Sequence, residues 1–313
     1  MDHDYAVEYT QTWSGGVQYE LDRSTMAEVN YMGSWTVGAD NATVRNVPEP
    51  GAGPIQARRP IQQLGAIRAI RFDGRSIYHA ATFSVVRRLA DSYSYTASYT
   101  LSTSKDDASN PGPTESEANV PQNVRNVFSD SGEWARSSFD HRHVFAASAT
   151  YQVPALPRLG RAASALISGW RISPVFLAQS GAPFSVNLGV DQANIGAGPA
   201  QRPNQLRNPN LPGGQRTPER WFDTSAFALP ASFTFGSAPR NSVIGPGFST
   251  TDVAFARTWK IGDRELEARW EVFNLFNRAN FDVPNRIFGT PNFGRIFSAK
   301  EPREMQFGVK LTF

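Results

Sequence analysis

The chain has 313 residues, and its 31 Lys and Arg residues against 28 Asp and Glu residues give a formal net charge of +3. It contains no Cys, which excludes disulfide frameworks, Cys-ligated metal sites and thiol nucleophiles. Its basic residues are dispersed, which argues against a nucleic-acid partner, and its 25 Gly and 22 Pro residues follow no period, which excludes collagen and coiled coils.

No stretch of the sequence approaches the 18 consecutive apolar residues of a transmembrane helix. The first residues, Met1 to Asp4, contain neither a basic segment nor an apolar core, so we expect no signal peptide. Alternation typical of a strand begins at once, at Tyr5. This beginning indicates a segment of a longer protein.

Apolar and polar residues alternate along most of the chain, which is typical of β-strands whose two faces differ. Between 92 and 103, Tyr, Ala and Leu occupy every second position from 93 to 101, and Ser and Thr occupy all the others. Many of the alternating runs have about 10 residues, which at a tilt of about 45° matches the apolar band of an outer-membrane barrel. We predict roughly eleven strands: 5–13, 17–22, 25–35, 66–72, 76–88, 92–103, 142–153, 168–179, 252–261, 265–272 and 306–313.

The connections between these strands are alternately short and long. Membrane barrels have short periplasmic turns and long extracellular loops, whereas soluble domains seldom carry several long irregular loops. Asp-Gly and Gly-Asp dipeptides in two of the short connections are typical of tight hairpins. The short connections are Ser14-Gly15-Gly16, Asp22-Arg23-Ser24, Phe72-Asp73-Gly74, Ala90-Asp91 and Gly262-Asp263, and the long ones are 36–65, 104–137, 187–248 and 277–303.

Three features favour a membrane barrel over a soluble β-sandwich, in which the apolar face packs on a second sheet. The polar face of 265–271 carries four charged residues at alternate positions, which suits a wide hydrated lumen. The chain also ends in an alternating strand that closes on an aromatic residue. Aromatic residues lie near the ends of predicted strands, as interfacial girdles require. These residues are Trp13, Trp35, Trp170, Trp259 and Phe313.

The run 270–277, WEVFNLFN, followed by Asn280 and Phe281, resembles the penultimate-strand motif of TonB-dependent outer-membrane receptors. The last strand, 307–313, resembles the terminal signal of these receptors that the barrel-insertion machinery reads. Further runs are similar, in much the same order, to the Oar-like branch of that family, and together they cover nearly the whole chain. They are 29–34, 98–102, 139–145, 169–170, 179–184, 201–204 and 221–227.

The resemblance implies a 22-stranded barrel in the bacterial outer membrane, filled by an N-terminal plug and energised by the TonB complex. Residues 1–313 would form the C-terminal portion of that barrel, about 11–12 strands, with the plug domain and signal peptide absent. The implied partners are outer-membrane lipid, the missing N-terminal barrel half and plug, the TonB complex reached through that plug, and the insertion machinery that reads the strand ending at Phe313. Because half a barrel has unpaired edges, we expect either an open curved antiparallel sheet or closure between the Tyr5 region and the Phe313 strand.

Asp140-His141-Arg142-His143 is the cluster with the most metal-ligating side chains. On a strand, His141 and His143 would point to the same face, a geometry that some metal sites use. No third ligand is near in the sequence. We therefore expect a polar strand end at the lumen or the rim rather than a metal site.

Other polar groups have simpler structural interpretations. An acidic loop lacks the ligand spacing of a calcium site, and the carboxylates of 265–271 are better explained as lumen lining than as a glycosidase pair. The sequence contains no nucleophile elbow and no phosphate-binding or dinucleotide motif, so we expect no enzyme activity and no cofactor. Loop arginines and aromatic residues are expected to pack within the loops, and no ligand-binding residues are predicted. These groups are Lys105, Asp106, Asp107, Glu115 and Glu117; Glu265, Glu267 and Glu271; and Arg202, Arg207, Arg216, Arg220, Trp221 and Phe222.

The sequence therefore favours the barrel of a TonB-dependent transporter or receptor whose long loops capture an unidentified ligand. Two alternatives remain. One is a stand-alone porin of roughly 12 strands, which would conduct ions without TonB. The other is a soluble all-β binding or adhesion module, which would stay in solution without detergent.

Overall fold

The computed structural model describes residues 7–107, 128, 133–156, 160, 164, 166–196 and 201–313. Its elements include one short helix, α1 (Ile55–Arg58), and two 3-10 helices, at Gly213–Gln215 and Thr224–Ala226. The strands are β1 (Tyr9–Asp22), β2 (Thr25–Arg45), β3 (Ile67–Ala90), β4 (Tyr93–Asp106), β5 (Ala135–Arg136), β6 (His143–Gln152), β7 (Trp170–Gln179), β8 (Pro183–Phe184), β9 (Asn187–Leu188), β10 (Asn204–Gln205), β11 (Phe227–Ala228), β12 (Val243–Ile244), β13 (Phe248–Ile261), β14 (Arg264–Phe273), β15 (Ile287–Phe288) and β16 (Glu304–Thr312).

Nine long strands form one antiparallel sheet in the order β1-β2-β3-β4-β6-β7-β13-β14-β16, and β5 pairs with the end of β4. Each long strand pairs with the next long strand along the chain, so the predicted up-and-down topology is confirmed. Strands β1 and β16 lie at the two edges and do not pair with each other. Of the two expected arrangements, the sheet is therefore the open one; Tyr5 itself lies outside the described residues.

The eleven predicted segments fall on only nine long strands, because two predicted turns are wrong. Ser14-Gly15-Gly16 continues through β1 and is paired with β2 along its whole length. Phe72-Asp73-Gly74 is an irregularity within β3, where Gly74 pairs with Ala39 and the register shifts. None of these glycines has the positive φ of a type I′ hairpin turn. Glycine inside a strand marks a bulge as readily as a turn.

The remaining predicted hairpins do form, and they lie at one end of the sheet. Residues 23–24 join β1 to β2, 91–92 join β3 to β4, and 262–263 join β13 to β14. The φ angles of Asp91 and Gly262 are 51° and 63°, positive values that tight hairpin turns require. A longer connection, 153–169, joins β6 to β7 at the same end. The longest connections leave from the opposite end, so the predicted alternation is confirmed.

One face of the sheet, which we call the outer face, carries large apolar side chains in neighbouring positions. The ring of Trp270 stacks between those of Phe255 and Phe307, with centroids 5.2 Å and 5.7 Å away. Phe83 and Tyr99 stack at 6.5 Å in the same face of β3 and β4. These rings lie at the surface, because Phe307 is 78% exposed and Phe83 is 48% exposed. Such a continuous apolar surface fits contact with lipid.

The opposite face, the inner face, carries hydroxyl and charged groups. The Oγ1 atoms of Thr82 and Thr100 lie 3.0 Å apart across β3 and β4. On β14, Arg269 pairs with Glu271 at 2.5 Å, and Glu271 also accepts a hydrogen bond from Gln306 on β16. The alternation predicted for 265–272 is therefore confirmed, with its charged residues on one face.

The predicted position of aromatic residues at strand ends is correct for only some of them. Trp170 begins β7, Trp259 lies near the end of β13, and Phe313 follows β16 directly. Trp13 and Trp35 instead lie inside β1 and β2, because both strands continue beyond the ends predicted from the alternation.

Candidate functional site

The long connections fold together at the end of the sheet opposite the hairpins, and we call them the cap. The cap consists of the described residues of 46–66, 107–142, 180–247 and 274–303. Short strand pairs hold it together: β8 pairs with β12, β10 with β11, and β9 with β15. The parallel pairing of β9 with β15 joins two connections that β13 and β14 separate in sequence.

A cluster of aromatic rings forms the core of the cap. The side chain of Phe222 is 1% exposed, and its ring centroid lies 5.1 Å from that of Phe293 and 6.0 Å from those of Phe184 and Phe227. All three contacts are edge-to-face, an arrangement that aromatic pairs prefer. The rings come from 180–247 and 274–303, so their packing ties these two connections into one unit.

Two buried ion pairs join 180–247 to the end of β4 and to the connection that follows it. Arg202 pairs with Glu133, and Arg240 pairs with Asp106; all four side chains are nearly inaccessible. Arg240 Nε also donates to the backbone carbonyl of Glu133 at 3.0 Å. Removal of one member of such a pair leaves a buried charge, which is strongly destabilising. These pairs therefore fix 180–247 against the end of β4 and against 107–142.

The connection between β2 and β3 is fixed to the same unit through Asn194. Its side-chain amide donates to the carbonyls of Gly51 and Gly53 at 2.8 Å and 3.0 Å. Arg58 on α1 donates to the Asn194 carbonyl at 2.5 Å. Backbone carbonyls on both sides are thereby satisfied, so the cap is continuous across the mouth of the sheet.

A pocket of about 540 Å³ lies where the sheet meets the cap. Gln179 on β7 and Phe248 on β13 are cross-strand partners on the inner face, and both line this pocket. Phe184 and Phe281 contribute apolar surface from the cap. The volume is within the range of small-molecule sites, which are largely apolar with a few convergent polar groups. The pocket is therefore the candidate ligand site.

The titratable side chains that line the pocket are His141, Asp282 and Lys300. The ammonium group of Lys300 lies 2.9 Å from Asp282 Oδ1, and its hydrogen bond, together with one from Ser298, holds the pKa of Asp282 below its ordinary 3.8. His141 Nδ1 lies 2.7 Å from the carbonyl oxygen of Ser180. Because a carbonyl oxygen only accepts, Nδ1 donates, and in the neutral imidazole Nε2 then accepts. The pocket thus offers one cation, one anion and one imidazole beside aromatic rings.

The structure does not bring the residues of 140–143 together as ligands. His141 precedes β6 and His143 begins it, so the two side chains do not lie on one face of a strand as expected. Asp140 is buried and accepts from Arg136 Nε at 2.5 Å and from the backbone of Ser104 at 3.0 Å. In the described parts of the chain, no three His, Cys, Asp or Glu side chains lie together as a metal site requires.

The loop arginines and aromatic residues make packing contacts within the cap. Arg207 Nη2 lies 2.7 Å from Asp223 Oδ2, and Asp223 caps the second 3-10 helix by accepting from Ser225. The hydrogen bond from Ser225 and the guanidinium of Arg207 lower the pKa of Asp223. Arg216 lies over the ring of Trp221 at 5.6 Å. Arg202 and Phe222 belong to the buried contacts described above.

The acidic loop is not simply solvated, as the sequence led us to expect. Lys105 is exposed, but Asp106 is buried in its ion pair with Arg240, and Asp107 pairs with Arg75 at 2.9 Å. The expectation is wrong for Asp106 because the partner lies 134 positions away in the sequence. Glu115 and Glu117 lie outside the described residues.

Sequence reasoning missed the pocket and the buried partner Glu133. The pocket is assembled from five separate stretches of the chain, 138–141, 179–184, 245–248, 281–283 and 298–300. Two indications were present in the sequence. The resembling run 179–184 includes the pocket residues Gln179, Pro183 and Phe184, and the cluster 140–143 includes the pocket residue His141.

The sequence matches the family model described as an outer membrane beta barrel domain over residues 1–306. No curated protein sequence matches the chain significantly. Across the part of the chain that the structure describes, no helix is long and apolar enough to cross a membrane.

Two solved structures are similar to the chain. The outer membrane transporter YddB from Escherichia coli has 10% sequence identity and a TM-score of 0.53; the alignment covers 98% of this chain and 33% of that one. The ferric-catecholate import receptor Fiu from E. coli K12, in its closed form, has 12% identity and a TM-score of 0.45, over 97% of this chain and 27% of that one. The chain thus spans about a third of the length of YddB, and at this identity the likeness shows the fold alone.

The family match over nearly the whole length agrees with the antiparallel sheet, the apolar outer face and the polar inner face. The chain belongs to the outer membrane beta barrel domain family and is a protein of the bacterial outer membrane.

Proposed function

We propose that this chain is the C-terminal barrel portion of a TonB-dependent transporter of the Oar-like branch. In the complete protein, the cap would capture a ligand at the mouth, and energised movement of a plug would allow the ligand to pass. The observation that carries the proposal is the pocket between the inner face and the cap, which lies where a ligand would enter the lumen.

The runs that resemble the Oar-like branch support this proposal by their positions. Runs 201–204 and 221–227 supply residues of the cap core and its buried ion pairs, and run 179–184 lines the pocket. Run 270–277 includes the end of β14 and the turn after it. Asn274 in that turn accepts from the backbone of Arg278 at 2.9 Å. The motifs thus coincide with the structure that closes the mouth.

The passive porin is the second candidate. A porin needs a closed sheet around an open lumen, whereas β1 and β16 are unpaired edges and the cap lies across the mouth. The soluble module is set aside, because the chain belongs to an outer-membrane family and its outer face is apolar.

Binding of the periplasmic domain of TonB from the same bacterium tests the proposal. The complete protein, with the plug through which TonB is reached, is purified from the outer membrane in detergent. The TonB domain is the probe in surface plasmon resonance, and the periplasmic domain of TolA is the control. We expect saturable binding of TonB alone and little conductance in planar bilayers. Absence of TonB binding together with a steady, large conductance would identify the passive porin instead.

A further inference from the structure

The outer face of β3 and β4 changes its chemistry towards the cap. Cross-strand pairs follow one another along the two strands, from apolar to cationic. In order towards the cap they are Phe83 with Tyr99, Ala81 with Leu101, His79 with Thr103, and Ile77 with Lys105, and Arg75 follows on β3.

Two Tyr–His pairs mark the level at which this change takes place. Tyr31 Oη lies 2.7 Å from His79 Nδ1, and Tyr99 Oη lies 2.7 Å from His143 Nδ1. Rings with one apolar and one polar end are favoured at the boundary between hydrocarbon and headgroups. The apolar part of the membrane is therefore expected to end near these pairs.

Arg75 and Lys105 lie just beyond that boundary. Counted from the level of His79, Lys105 lies two residues further out and Arg75 four, about 7 Å and 13 Å along the strands, which at a tilt of about 45° are rises of about 5 Å and 9 Å. Each headgroup region of a bilayer is about 5–8 Å thick. Lys105 is thus at the level of the lipid headgroups and Arg75 at their outer limit, on the side of the long extracellular loops.

Both side chains are accessible at this level. The Arg75 side chain is 60% exposed; its Nε lies 2.9 Å from Asp107 Oδ2, and its guanidinium lies over the Trp134 ring at 5.7 Å. These contacts hold the guanidinium in place, and the contact with Asp107 involves only one of its edges. Lys105 is exposed and has no hydrogen bond or ion pair with the described residues.

We propose that Arg75 and Lys105 bind the phosphate group of a phosphorylated glycolipid in the outer leaflet, of the lipid A type. The acyl chains of that lipid would lie on the apolar surface of Ala81, Phe83 and Leu101 directly below. Charge complementarity selects an anion, and the continuity of the cations with a lipid-facing surface selects a lipid over a soluble anion. The site is independent of any coupling to TonB.

Native mass spectrometry of the protein purified from the outer membrane tests this site. Diphosphoryl lipid A is the probe, and the compared variants are Arg75→Gln/Lys105→Gln and the control Lys260→Gln/Lys310→Gln. The control removes the same charge from the inner face of β13 and β16, opposite Glu265 and Glu267. Since each basic group near an anionic membrane surface contributes about a fivefold factor and Asp107 offsets part of it, we expect the first variant to bind about tenfold more weakly.

The control and the charge-conserving variant Arg75→Lys/Lys105→Arg are expected to bind as the unmodified protein does. The charge-conserving variant also keeps the test informative if Arg75→Gln/Lys105→Gln is poorly folded. Unchanged binding by Arg75→Gln/Lys105→Gln, or equal binding of dephosphorylated lipid A, would overturn the proposal. Competition by millimolar inorganic phosphate as strong as that by lipid A would assign the site to free phosphate and also overturn it.

Discussion

The substitution Phe222→Ala tests whether the cap is one folded unit built on its aromatic core. Phe222 is 1% exposed, and three aromatic rings pack on its edge and face. Burial of a ring removes about 150–250 Å² from water, which at about 25 cal/mol per Å² is about 4–6 kcal/mol. Measured losses for Phe→Ala in cores are about 3–5 kcal/mol. The cap should therefore open about 10² to 10⁴ times more often.

Limited proteolysis of the protein in detergent measures this opening. We expect cleavage within 180–247 and 274–303 to accelerate by about two orders of magnitude, since cleavage follows the population of the open form. The strands of the sheet should remain resistant, because their hydrogen bonds do not depend on the cap core. Phe276→Ala is the matched control, as Phe276 also lies in the cap, in the connection 274–303, and is 75% exposed.

Equal cleavage of Phe222→Ala and Phe276→Ala would refute this reasoning. It would mean that the aromatic cluster contributes little, and that the backbone pairing of β9 with β15 and the buried ion pairs hold the cap without it.

Three other perturbations follow from the structure. Arg240→Met removes the guanidinium that pairs with the buried Asp106, so we expect the cap to lose about 3–5 kcal/mol of stability. Hydrogen exchange in 133–140 should become faster. An exchange rate equal to that of the unmodified protein would contradict the ion pair. Gly33→Ala would place its methyl carbon 2.4 Å from the Trp13 indole, so we expect the free energy of unfolding to fall by about 1–3 kcal/mol and the Trp emission to shift. Gly308 has open space around it, so Gly308→Ala should change neither quantity. Because the pKa of Asp282 is lower in the folded protein than its ordinary 3.8, the unfolded chain binds more protons near that pH. Cap stability should therefore fall as the pH drops below about 3.8, and proteolysis across that range should show a weaker fall in Asp282→Asn.

Strand positions could be predicted because alternation is a local property. Residues 92–103 and 265–272 place their apolar side chains on one face whichever strands lie beside them. The two wrong turns show where local reasoning ends. Ser14-Gly15-Gly16 and Phe72-Asp73-Gly74 have turn-forming composition, yet both continue a strand. β2 pairs with all three residues of the first segment and with Phe72 and Gly74 of the second, where Asp73 is the extra residue at the irregularity.

The cap could not be predicted from local patterns. Phe184, Phe222 and Phe293 are separated by tens of residues and follow no helical or strand period, so nothing in the sequence indicates that their rings meet. The same holds for Arg240 and Asp106, which are 134 positions apart. Composition rich in Pro, Asn and Gly correctly predicted long connections, but it carried no information on their mutual packing.

Because the strands differ in length, the two sides of the cap are held to the sheet with different stiffness. β1 begins opposite Val37 and β4 ends opposite Ser76, so the parts of β2 and β3 beyond these positions form a ribbon of two strands. Seven residues of this ribbon extend about 23 Å from the wall, starting at an irregularity where Gly38 has a φ of 77°. On the other side, Arg240 and Arg202 anchor the cap rigidly near the end of β4. A force on the cap is therefore expected to tilt the cap about the side held by the ion pairs, while the ribbon bends at Gly38. The cap would not rise evenly from the sheet.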